Sequence, residues 1–181
     1  RSVRSAGNQL LSLGVGPGDT VALLTLACSE WVATWLASAE VGAVSMPINV
    51  MFRGEFLRHQ LADSDARVLL VDAMFLPQLA EVLDGVPGLR TLLVRGAVPD
   101  GVTVPAGIEV LDAGMLATGA TDAVHGGRPH AWNDVACLFY TSGTTGRPKG
   151  AILTQQYLCV AAEALAEAYG MTADDVMYAA V

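Results

Sequence analysis

Positive charge is scarce in this sequence of 181 residues: Lys and Arg number 10 against 18 Asp and Glu, leaving a formal net charge of −8. A nucleic-acid-binding surface needs clustered Lys and Arg to displace phosphate counterions, so no nucleic-acid partner is expected. Charge of either sign is thin, at 15% of residues against 52% apolar, and much of the chain is expected to be buried. Also missing is an unbroken apolar span of about 18 residues, the length that suggests a membrane helix. The richest stretch, residues 21–44, is interrupted by Glu30 and Glu40. A soluble, cytoplasmic protein without a transmembrane segment is expected.

Cysteine is equally sparse. Cys28, Cys137 and Cys159 stand far apart among apolar neighbours, which excludes a CxxC redox pair and a zinc cluster and favours buried free thiols in a reducing compartment. The sequence opens on Arg1 without an initiating Met or the layout of a secretory signal. It closes on the apolar run Tyr178-Ala179-Ala180-Val181, which reads as a strand cut off in progress. We therefore expect a chain truncated at both ends.

What is present is a repeated strand and helix pattern. Residues 2–13 predict a helix with Leu10, Leu11 and Leu13 inward, ended by the Gly14 to Asp19 turn. Residues 21–26 form an apolar run typical of a strand covered on both faces. Ser29 offers an N-cap for a helix that carries Trp31, Trp35, Leu36 and Ala39 to Gly42, followed by a strand at 44–46. A helix over 54–64 through Phe56, Leu57 and Leu61, a strand at 68–71, a helix over 75–83 and a strand at 91–94 continue the alternation. The expected fold class is α/β, a mainly parallel sheet flanked by helices on both faces. From Gly96 to Ala131 the pattern weakens. A strand at 108–111 and a short helix at 112–116 are the only elements expected there, with 119–130 a surface connection.

The apolar strand 135–140 runs into Thr141-Ser142-Gly143-Thr144-Thr145-Gly146-Arg147-Pro148-Lys149-Gly150, and residues 151–154 resume a strand. Glycines let successive backbone N–H groups converge, four hydroxyls add donors, and Lys149, the only lysine of the chain, adds a full positive charge. Such a loop suits phosphate. It fails the Walker A pattern, because Lys149 follows Pro148 and precedes Gly150. Proline and glycine around the lysine also oppose a helix there, so the loop should join two strands without help from a helix dipole. A mobile, Gly-rich surface turn is the bland alternative.

The segment YTSGTTGRPKG, residues 140–150, resembles the signature loop of the adenylate-forming superfamily: acyl- and aryl-CoA synthetases, luciferases and the adenylation domains of peptide synthetases. Upstream, GVGPGDTVALL at 14–24, Glu40 to Val44, Pro47-Ile48-Asn49 and Arg53 to Phe56 are similar to successive family segments. Downstream, Asp174-Asp175-Val176 matches the approach to the family's Pro-rich turn. The resemblance implies that residues 1–181 are part of a large N-terminal AMP-binding domain, with a mobile C-terminal domain absent. It implies ATP-dependent activation of a carboxylic acid to an acyl-adenylate and then thioester formation with coenzyme A, with Mg2+ accompanying ATP. Thr141, Ser142, Gly143, Thr144, Thr145, Gly146 and Lys149 would hold the β- and γ-phosphates. No catalytic nucleophile and no metal ligand is expected within this chain, and the chain alone is expected to be inactive. Where the family usually reads Thr-His after the loop, this chain has Thr154-Gln155.

Two other readings stay open, a non-catalytic nucleotide-binding remnant and an adenylation domain that loads a carrier protein. A phosphotransferase or NTPase is disfavoured by the failed Walker pattern. His59 is expected on an exposed helix face, and His125 and His130 lie in the Gly-rich connection without a ligand partner at metal spacing. Trp31 and Trp35, at i and i+4, are expected to pack in the core, and Asp63, Asp65 and Asp72 to be turn and surface residues.

Overall fold

In the computed structural model, which describes residues 2–123, 131–141 and 147–176, seven strands form one sheet. They are β1 (Thr20–Leu24), β2 (Val44–Pro47), β3 (Ala66–Asp72), β4 (Thr91–Arg95), β5 (Glu109–Asp112), β6 (Val135–Thr141) and β7 (Lys149–Thr154), in the order β5-β4-β3-β1-β2-β6-β7. Every neighbouring pair is parallel except β6 and β7, which run antiparallel. The helices are α1 (Ser2–Ser12), α2 (Ser29–Val41), α3 (Gly54–Asp63), α4 (Leu76–Ala80) and α5 (Gln155–Tyr169).

Side chains alternate across a strand, so a strand covered twice must be apolar at every position. Ala22, Leu24, Leu69, Val71, Leu92 and Val94 share one core with Leu57 and Leu61 of α3 and Leu76 and Leu79 of α4. Val21, Leu23, Val68, Leu70 and Leu93 share the other with Ala6 and Leu10 of α1 and Ala37 and Val41 of α2. This is the expected α/β sandwich.

The helices depart from expectation in instructive ways. In α1, Leu10 is buried, but Leu11 and Leu13 are only half-buried, and Ser5, Ala6 and Gly7 complete the inward face. In α2 the buried residues are Thr34, Ala37, Ser38 and Val41, while Leu36 is exposed. Small residues face each other where these helices meet, and larger ones are displaced to the margins. Trp31 and Trp35 are half-buried there and stack on one another with centroids 4.9 Å apart. The cap of α2 is Cys28, whose sulfur accepts from the Trp31 N–H, one residue before the Ser29 expected. Phe56 of α3 is exposed and packs on Phe52.

The helix expected over 75–83 is broken into a 3-10 turn at Ala73–Phe75, the short α4, with Pro77 in its first turn, and a second 3-10 turn at Leu83–Gly85. The expected helix near 112–116 is a 3-10 turn at Ala113–Ala117, capped by Asp112. Helix α5 is an additional element beyond those expected. Thr154 caps it through the Tyr157 N–H, Gly170 ends it in a left-handed conformation, and none of its residues is buried. The cut-off strand expected at 178–181 lies outside the described residues.

Two further expectations are corrected. Asp72 is buried, because its carboxylate accepts from the Leu26 N–H at 2.9 Å and pairs with both Arg95 Nε and Nη2 at 2.6 and 3.0 Å. Such a set of partners offsets the desolvation that would otherwise keep a carboxylate at the surface. Of the three cysteines only Cys137 is buried; Cys28 is half-buried and Cys159 is exposed on α5. Among the described residues no helix is long and apolar enough to cross a membrane.

Candidate functional site

Strand β6 joins the sheet beside β2, with Cys137 opposite Ser45, and then outruns it. Its far end pairs with β7 in the register Phe139 to Ala151, Tyr140 to Gly150 and Thr141 to Lys149. The Gly-rich segment is therefore the connection of an antiparallel hairpin, as its proline and glycine content dictates. It leaves β6 at the carboxyl end of a parallel strand, the edge where open α/β sheets bind ligands.

Of the seven residues expected to hold phosphate, Thr141 and Lys149 are described, while Ser142, Gly143, Thr144, Thr145 and Gly146 lie outside the described residues. Thr141 and Lys149 are directly opposite one another across the hairpin and both are exposed. By the two-residue period of a strand they share a face with Phe139, which packs on Trp35 at 5.9 Å. The Lys149 ammonium and Thr141 hydroxyl have the charge and hydrogen-bonding character that an anion requires.

The other face of the hairpin is held by α3. Tyr140 donates its phenol proton to Asp63 Oδ2 at 2.6 Å. His59 Nε2 lies 3.0 Å from the Pro148 carbonyl oxygen, which can only accept, so the proton sits on Nε2. Arg147 Nη2 meets Glu55 Oε1 at 3.2 Å, and Glu55 also takes a two-pronged contact from Arg58 at 2.7 and 2.8 Å. The Arg58 hydrogen bonds hold the Glu55 carboxyl below the usual range, and the Arg147 charge adds to this. Burial pushes the Tyr140 phenol up, and the neighbouring Asp63 carboxylate pushes it further.

His59 is therefore not a free exposed side chain, and Asp63 is not merely a turn residue. Glu55, His59 and Asp63 recur at i, i+4 and i+8, a spacing that puts them on one helix face. That periodicity is the sequence signal for this group, but their hairpin partners lie as far as 92 positions away, so nothing local identifies the contact. Gln155 opens α5 with its N–H on the Asp134 carbonyl. Among the described residues no group of three or more His, Cys, Asp or Glu side chains could hold a metal ion.

The description AMP-binding enzyme matches residues 1–181. The long-chain-fatty-acid–CoA ligase FadD15 of Mycobacterium bovis is 37% identical over 164 residues, covering 86% of this chain and 25% of the relative. The anthranilate–CoA ligase AuaEII, crystallised in complex with anthranoyl-AMP, superposes with a TM-score of 0.78 at 30% identity, covering 90% of this chain and 30% of that one. ATP-bound MatB from Rhodopseudomonas palustris superposes with a TM-score of 0.76 at 27% identity, covering 96% and 32%. The chain thus spans a quarter to a third of the length of these relatives.

Proposed function

The chain belongs to the AMP-binding enzyme family, and from that premise we propose that the whole protein is a cytoplasmic, AMP-forming acid–thiol ligase to which this chain contributes the phosphate-binding loop. Its substrates are a carboxylic acid, ATP and coenzyme A. The acid's carboxylate oxygen bonds to the α-phosphorus of ATP as pyrophosphate leaves; the coenzyme A sulfur then bonds to the acyl carbon as AMP leaves. The observation that supports this reading is the pairing of Thr141 with Lys149, both within the YTSGTTGRPKG segment, at the tip of the β6–β7 hairpin.

In this account the chain's residues bind and orient. Thr141, with Ser142, Gly143, Thr144, Thr145 and Gly146, supplies hydroxyl and backbone donors to the β- and γ-phosphates, and the Lys149 ammonium holds the same phosphates in bound ATP and in the departing pyrophosphate. Among the described residues no cluster of carboxylates is available for Mg2+. The relatives include both a fatty-acid and an aromatic-acid ligase, so the acid is proposed only as a class. The 181-residue chain alone is expected to lack ligase activity.

The test is ATP–pyrophosphate exchange by the full-length protein and its Lys149→Ala variant. A hydrogen bond to a charged group contributes about 1.5–3 kcal/mol, so the variant's KM for ATP should rise roughly 10- to 100-fold. Acid-independent release of inorganic phosphate would point to an NTPase.

A further inference from the structure

We propose that α3 is a brace for the phosphate-binding loop, and that His59, Asp63 and Glu55 are positioning residues that set the affinity for ATP through the hairpin arms they hold. The inference rests on the phosphate-binding reading above and concerns how that site is kept in place.

The three contacts span both ends of the loop. Tyr140, held by Asp63, immediately precedes Thr141; Arg147 and Pro148, held by Glu55 and His59, immediately precede Lys149. The Pro148 carbonyl belongs to the peptide unit that carries the Lys149 N–H, so the His59 contact fixes the plane from which the lysine departs. The two inner contacts also touch each other, with the His59 ring edge-on to Tyr140 at 6.3 Å and 85°. Gly150 is opposite Tyr140, and a side chain there would begin 3.2 Å from the Tyr140 ring. The missing side chain leaves room for the ring beside the hairpin.

A brace must itself be anchored. Leu57 and Leu61, on the far side of α3 from His59 by helical geometry, are fully buried in the core that α3 shares with β1 and β3. The face of α3 opposite His59 is thus packed into the core beside the central strands. Holding the two arms of a binding segment in place reduces the ordering cost when ligand binds.

The test is the ATP dissociation constant, measured by titration calorimetry on the full-length protein, alongside KM for the acid and a thermal melt. His59→Ala should weaken ATP roughly 3- to 10-fold, the loss of one hydrogen bond of ordinary net strength, with KM for the acid unchanged. His59→Gln, whose amide nitrogen reaches the same carbonyl, should restore most of the affinity. Tyr140→Phe loses one oxygen and keeps its ring, so it serves if His59→Ala fails to fold; combined with Asp63→Ala it should add little to the single changes. Folded His59→Ala and Tyr140→Phe proteins that bind ATP as the wild type does, while Lys149→Ala binds weakly, would overturn the brace and leave the phosphate reading intact. Equal weakening in His59→Gln and His59→Ala would overturn the assigned contact. Unaltered ATP binding in Lys149→Ala would overturn the phosphate reading and this inference with it.

Discussion

The body of residues 2–117 and the hairpin and helix of residues 131–176 are built on opposite terms. In the body, β1, β2, β3 and β4 carry buried residues at nearly every position, while the edge strand β5 is largely exposed. Beyond residue 118 the buried side chains among the described residues are Ala136, Cys137 and Pro148. Apolar groups there are open to solvent, Ile152 at 63% and Tyr169 at 79% exposure among them. The body holds itself together through packing; the site-bearing segment is held by a sheet edge, one helix and a few polar contacts. This follows the general tendency of binding chemistry to sit on segments positioned by a rigid scaffold.

The contrast can be broken most forcefully in the core. Leu70→Ala should cost about 2–5 kcal/mol in denaturant unfolding of this chain, whereas Ile152→Ala should stay within about 0.5 kcal/mol. Equal losses would mean that β7 is packed as the body is. Next in size is Asp72→Ala, which leaves Arg95 and the Leu26 N–H without their acceptor. Arg95 is partly exposed, and a discounted loss of about 1–3 kcal/mol is expected in the same experiment. The exposed apolar residues of β7 and α5 should also bind a hydrophobe-sensing dye in this chain without denaturant.

Strand β6, where the body meets the hairpin, should respond to alkaline pH. Folding raises the Cys137 thiol, by burial, from the ordinary value of about 8.5 to about 12, and it raises the Tyr140 phenol as well. The unfolded chain therefore releases these protons first. The stability they contribute is complete below about pH 8.5 and falls as pH rises, with Tyr140 adding to the loss from about pH 10. Tyr140→Phe should flatten the later part of the decline. The smallest effect is chemical: at pH 8 Cys159 should react with a maleimide promptly, and buried Cys137 only as fast as the fold opens.

The body was legible because its strands are uniformly apolar and bounded by glycine and proline. Val21 to Leu24 and Val68 to Val71 carry their whole environment in their own composition. The hairpin was legible for a different reason, since Pro148 and Gly150 oppose a helix at Lys149. Less visible were the inward faces of α1 and α2, where packing selects Ala6, Gly7, Ala37 and Ser38, residues with no strong hydrophobic signature. Helix α5 has the Ala-, Leu- and Glu-rich composition of a helix between Thr154 and Gly170, but it buries none of its residues, so no packed face marks it. The contacts from α3 to the hairpin depend on tertiary folding alone. His59 and Asp63 look like surface residues until β6 and β7 are laid beside them.

If this hairpin holds the phosphates of ATP, as proposed, the full-length protein should exchange labelled pyrophosphate into ATP when offered a panel of carboxylic acids. The exchange should depend on the acid, and its KM for ATP should rise sharply in Lys149→Ala while KM for the acid stays put. Exchange at an unaltered KM for ATP in that variant would contradict it.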